Sequence, residues 1–100
     1  MERRVTFSPR AESQLASIFR YVARAASPSI ASSFTESIVS HCLKFSTLSH
    51  RGTKRDDILP GLRTIGFRRR VTISFRVEPE EVVILGVFYG GQSVEARHFR

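Results

Sequence analysis

Between Pro60 and Gly91 the chain alternates apolar and polar residues, turns, and then becomes apolar at both parities, a pattern that predicts consecutive antiparallel strands. Val71, Ile73, Phe75 and Val77 fall on one side of the middle run, and Thr72, Ser74 and Arg76 on the other. Glu78-Pro79-Glu80-Glu81 supplies the turn, because proline pre-sets the backbone angle of a first central turn position. Val77 is therefore expected opposite Val82, and Phe75 opposite Ile84. The run from Val82 to Tyr89 is apolar on both faces and predicts a strand in the sheet interior, with Gly86 where a neighbour approaches closely. Gly90-Gly91 ends it. Leu62 to Phe67 reads as a shorter strand joined to the next through an exposed turn at Arg68-Arg69-Arg70.

The N-terminal half changes period. Arg3 to Phe7 alternates weakly and predicts a short edge strand. Ser8 then offers a helix N-cap and Pro9 sits at the first helical position, where its missing N–H costs nothing. Ala11, Leu15, Ile18, Phe19 and Val22 follow at helical spacing as one apolar stripe. The same start signal recurs at Ser27-Pro28, which ends the first helix and caps a second. Its stripe is Ala31, Phe34, Ile38, Cys42 and Phe45, extended by Leu48 if the helix runs that far. From Ser49 to Pro60 the periodicity disappears and a loop is expected. Beyond Gln92 only Val94 and Phe99 are available to dock a short terminal segment. The expected architecture is α+β, with a short N-terminal strand and a helical hairpin packed on a mostly antiparallel sheet of about four strands.

Composition narrows what such a domain can do. A chain of 100 residues reads as a single domain, residues 1–100, with one modest core and little room for an enclosed cofactor site. The formal charge of +7 favours an acidic partner. Seven of the sixteen basic residues lie between Arg51 and Arg70, against Asp56 and Asp57 alone, so this segment carries +5 of the +7. Arginine offers a permanent charge and a planar fork of donors suited to phosphate and carboxylate. Cys42, the one cysteine, has no internal disulfide partner and reads as a core residue. With His41, His50 and His98 it makes no metal-ligand spacing, and no phosphate loop or nucleophile elbow is present. No run reaches membrane-span or signal-peptide length, which predicts a cytoplasmic protein without a membrane partner.

The order of parts resembles a known family. The pieces are Ser8-Pro9-Arg10-Ala11, a Ser-Pro-joined helical hairpin, a basic loop, Gly61-Leu62-Arg63, and a last strand ending in Tyr89-Gly90-Gly91. Together they resemble the RelE/ParE superfamily of bacterial type II toxins, on the ParE side, across essentially the whole chain. The resemblance implies a growth-inhibiting toxin neutralised by a ParD-like ribbon-helix-helix antitoxin whose C-terminal segment wraps it, with operator DNA reached only through the antitoxin. It implies DNA gyrase as the target, inhibited by binding and without a cofactor. An apolar groove on the helical hairpin, with Leu15, Phe19, Phe34 and Ile38, is the expected antitoxin surface, and Arg63, Arg68, Arg69 and Arg70 the expected target surface. The alternative is a RelE-like ribosome-dependent endoribonuclease using Arg63, Arg68 and His98. That chemistry needs a base, cations for the developing phosphorane and an acid. Anchoring Val71 to Val77 on the corresponding RelE strand puts Thr72 where RelE-type toxins carry an arginine. Anchoring on Gly66-Phe67-Arg68 instead selects Arg68, at the cost of a four-residue expansion. Gln92 stands where RelE-type toxins carry another arginine, so the nuclease set is incomplete.

Overall fold

A computed structural model describes residues 2–92 and 94–99. Strand β1 (Arg4–Phe7) leads into helix α1 (Pro9–Ala25) and helix α2 (Pro28–Leu43), and a 3-10 turn (Lys44–Ser46) follows. Strands β2 (Thr53–Lys54), β3 (Leu62–Phe67), β4 (Val71–Val77) and β5 (Glu81–Tyr89) come next, and a second 3-10 turn spans Ala96–Phe99. The sheet has five strands in the order β1-β5-β4-β3-β2. It is antiparallel except at β1, which runs parallel to β5.

Both helices begin as their sequences dictate. The Ser8 hydroxyl accepts from the Ala11 N–H at 3.1 Å, the Ser27 hydroxyl accepts from Ile30 at 3.1 Å, and each is followed by proline in the first turn. The β4–β5 turn closes with Glu78 N–H donating to the Glu81 carbonyl at 2.8 Å, and the expected pairs Val77–Val82 and Phe75–Ile84 form. Ala11, Ile18 and Val22 of α1 and Ala31, Ile38 and Cys42 of α2 pack with Phe45 onto Val71, Ile73 and Phe75 of β4 and Val82, Ile84 and Val87 of β5. One side of the sheet is thereby covered by the hairpin.

Several expectations change. The segment expected to be a loop contains β2, whose Thr53 and Lys54 pair with Thr64 and Arg63, so the sheet gains a fifth strand. Two residues are too few to show a period. Leu48 does not extend the helical stripe, because α2 stops at Leu43, and the side chain is half exposed. β5 is not simply a strand with two apolar faces. Ser74 pairs with Gly86 while Phe75 pairs with Ile84, so Leu85 is an extra residue and the helix-facing parity switches from Val82 and Ile84 to Val87 and Tyr89. The bulge is held from α1 and its cap. Gln14 Oε1 accepts from the Val87 N–H at 2.7 Å, and the Ser8 hydroxyl donates to the Leu85 carbonyl at 3.2 Å.

The other side of the sheet carries Phe88, Gly86 and Ser74. Phe88 is buried under the C-terminal turn, with ring centroids 4.9 Å from His98 and 6.4 Å from Phe99. Gly86 is indeed the point of close approach: a Cβ there would lie 2.6 Å from the Phe88 ring and 2.8 Å from the Ser74 hydroxyl. The terminal segment is thus a helical turn among its described residues.

Candidate functional site

Three surfaces carry chemistry. The first is a groove of about 590 Å³ between the helices, lined by Leu15, Ala16 and Phe19 of α1 and Thr35, Glu36, Val39 and Ser40 of α2. The hairpin buries one stripe against the sheet and leaves the outward seam between its helices only partly filled. Of the residues expected to serve a partner here, Leu15 and Phe19 line the groove. Phe34 is half-buried and packs edge-on against Tyr89 at 5.8 Å. Ile38 is fully buried in the core and has no surface to offer, which corrects its assignment. Ala16, Val39 and Ser40 take its place. Small and polar residues on the rim of an apolar stripe leave no periodic signal, and only the helix–helix crossing brings them together.

The second surface is the basic edge of the sheet. Arg63 lies opposite both Phe75 and Lys54, in the helix-facing row, and its Nη1 donates to the Arg51 carbonyl at 3.2 Å. Arg68, Arg69 and Arg70 form the exposed β3–β4 turn, with φ of 50° at Arg68 and 65° at Arg69. This left-handed conformation costs an L-residue roughly 1–2 kcal/mol. The Arg68 guanidinium lies 5.2 Å from the centre of the Phe67 ring, whose centroid is also 4.6 Å from that of His41.

The third is a cleft of about 350 Å³ on the open sheet face, lined by Ser8, Pro9, Arg10, Leu59, Arg76, Leu85, His98 and Phe99. Arg76 is paired with Glu78 at 2.9 Å, and the Nδ1 of His98 accepts from the Glu95 N–H at 2.9 Å. The three groups a nuclease reading requires do not meet. His98 lies against Phe88 on the open face while Arg63 is in the helix-facing row. Arg63 and Arg68 lie at opposite ends of β3, about 17 Å apart at the rise of an extended strand.

A sequence model described as the ParE toxin of the type II toxin-antitoxin system, parDE, matches residues 5–94. The chain belongs to this ParE toxin family. In fold it is similar to a chain of the chromosomal ParDE toxin-antitoxin system from P. aeruginosa, at a TM-score of 0.78 and 22% identity, covering 89% of this chain and 97% of that one. It is also similar to a chain of the RelBE2 toxin-antitoxin complex from Mycobacterium tuberculosis, at a TM-score of 0.55 and 19% identity, covering 89% and 99%. No curated protein matches its sequence significantly.

Two titratable groups at the end of α2 in this ParE-family toxin, buried Cys42 and half-buried His41, are shifted by burial. Burial pushes the Cys42 thiol up to about 12, which makes it an inert core side chain at neutral pH. No cluster of three or more His, Cys, Asp or Glu side chains is gathered for a metal among the described residues, and no helix there is long and apolar enough to cross a membrane. His41 is held below its ordinary value, first by burial and then by the positive charges of Lys44 and Arg51, and its Nε2 is buried without a hydrogen-bond partner among the described residues. In the unfolded chain it binds a proton near pH 6.5. The stability it contributes is therefore complete above that pH and is lost as pH falls through its lower folded value. Denaturant midpoints are expected to drop as pH falls below about 6.5, and a His41→Gln variant should flatten that slope. Asp57 and Glu95, held low chiefly by hydrogen bonds from Arg55 and Arg97, act only at more acid pH, so the windows separate.

Proposed function

We propose that this ParE-family toxin inhibits growth by binding DNA gyrase, with no cofactor and no chemistry performed by the chain itself. Arg63, Arg68, Arg69 and Arg70 serve the target. A ParD-like antitoxin of the ribbon-helix-helix type neutralises the toxin in the cytoplasm by laying its C-terminal segment along the groove at Leu15 and Phe19, and operator DNA is bound through that antitoxin. The observation that carries the reading is the separation of Arg63, Arg68 and His98 over two sheet faces and the length of β3. A phosphorane needs preorganised donors within hydrogen-bonding distance of one point, and losing one such donor typically costs about a hundredfold or more in rate. A binding inhibitor has no such requirement.

Purified toxin is expected to inhibit gyrase supercoiling stoichiometrically and reversibly on antitoxin addition, while programmed ribosomes keep their message intact. Codon-specific cleavage of ribosome-bound message that disappears in Arg68→Ala, with supercoiling undisturbed, would overturn the proposal.

A further inference from the structure

The basic edge is more than a collection of solvated arginines. Arg51, Lys54, Arg63, Arg68, Arg69 and Arg70 have no salt-bridge partner among the described residues. The two acidic residues of this segment are already engaged. Asp57 holds Arg55 through both carboxylate oxygens at 3.0 and 2.9 Å, and Asp56 Oδ1 accepts from the Gly61 N–H at 2.8 Å. Lys54 and Arg63 are set directly opposite each other across the β2–β3 pair, an arrangement of like charges that destabilises a sheet. At the far end, Arg68 and Arg69 adopt backbone angles that disfavour every residue but glycine. Both features cost folding free energy, and backbone strain of this kind clusters at functional sites.

We propose that this ridge binds the phosphate backbone of duplex DNA directly, as part of how the toxin engages its target. The choice of DNA over RNA rests on the gyrase reading above; the choice of a polyphosphate does not. From Arg63 to Arg68 the ridge spans about 17 Å of strand, and over such a length duplex DNA presents roughly ten negative charges, one per ~1.7 Å of axis. Uniform positive sign and five guanidinium groups out of six cations match that line of phosphates. An acidic protein surface is a poorer fit, since no large apolar side chain between Arg51 and Arg70 is exposed to form the centre of a protein interface. Single strands are a poorer fit too. Phe67, the one aromatic ring of the ridge, is already engaged by Arg68 and His41, and a stacking platform needs successive aromatic faces.

The test is anisotropy of a short labelled duplex DNA of arbitrary sequence titrated with full-length toxin, without gyrase, across about 50–200 mM salt. Affinity should fall steeply with salt. Each phosphate contact contributes about 0.9 to the log–log slope, so a Lys54→Gln/Arg63→Gln/Arg69→Gln variant should lose about three units of slope. At about 0.1 M salt that corresponds to roughly eightfold per contact, or about five-hundredfold in affinity. A control carrying Arg20→Gln and Arg24→Gln, exposed on α1, should bind as the parent does. An unchanged thermal midpoint in the triple variant separates lost contacts from lost fold. No binding at low salt, a slope unaffected by the triple variant, or tighter binding to duplex RNA or polyglutamate would overturn the inference. Supercoiling inhibition by a toxin that binds no free DNA would refute the ridge while leaving gyrase as the target; DNA binding without supercoiling inhibition would do the reverse.

Discussion

Phe45→Ala should destabilise the toxin by about 3–5 kcal/mol, a large part of the roughly 5–15 kcal/mol available to a domain. Phe45 sits on the 3-10 turn after α2, fully buried, with its ring centroid 4.6 Å from Phe75 on β4 and 5.5 Å from His41. It ties the end of the helical hairpin to the centre of the sheet. Neighbours drawn from three elements cannot all collapse into the space left by an aromatic ring, so a cavity cost adds to the lost transfer free energy. Equilibrium unfolding in urea measures the change. A loss below about 1 kcal/mol, the level of volume-conserving swaps, would mean that this contact does not join the two layers.

Ala16→Glu is expected to abolish neutralisation while leaving the fold intact. Ala16 is exposed on α1 and lines the groove between the helices, so a larger side chain there meets solvent in the free toxin but blocks an incoming segment. Exposed substitutions usually change stability by no more than about 0.5 kcal/mol. A charge forced against the centre of an interface costs on the order of 2 kcal/mol or more, close to thirtyfold and upward in antitoxin affinity at ~1.4 kcal/mol per tenfold. Calorimetric titration with the antitoxin reads the loss, and retained growth inhibition in cells expressing both proteins should accompany it. Unchanged affinity with an unchanged melting midpoint would show that the antitoxin lies elsewhere.

Much of the architecture was legible because each local rule pointed the same way. Ser8-Pro9 and Ser27-Pro28 announce two helix starts, the period of 3.6 in the first half gives their buried stripes, and Pro79 sets the hairpin register that places Val77 on Val82. The candidate surfaces were legible in part. Leu15 and Phe19 lie where an apolar stripe meets solvent, whereas Ile38, at an equivalent spacing, is entirely inside. Periodicity says which residues share a helical face; it does not say how far round that face the neighbouring layer reaches.

By itself the sequence determined the order of the elements other than β2, the caps, the buried stripes, the exposed arginine turn and the family resemblance, since all of these are written in local spacing and residue type. Tertiary structure alone decided the rest, because those features depend on partners distant in the chain. β1 runs parallel to β5 across seventy-seven positions, from Arg4 to Glu81. The Leu85 bulge survives because Gln14 and Ser8 satisfy the backbone groups it frees, and it turns an apparently two-faced apolar strand into one that changes phase halfway. The two-residue β2 is paired only with β3, and that pairing sets Lys54 beside Arg63 at the basic edge of the sheet.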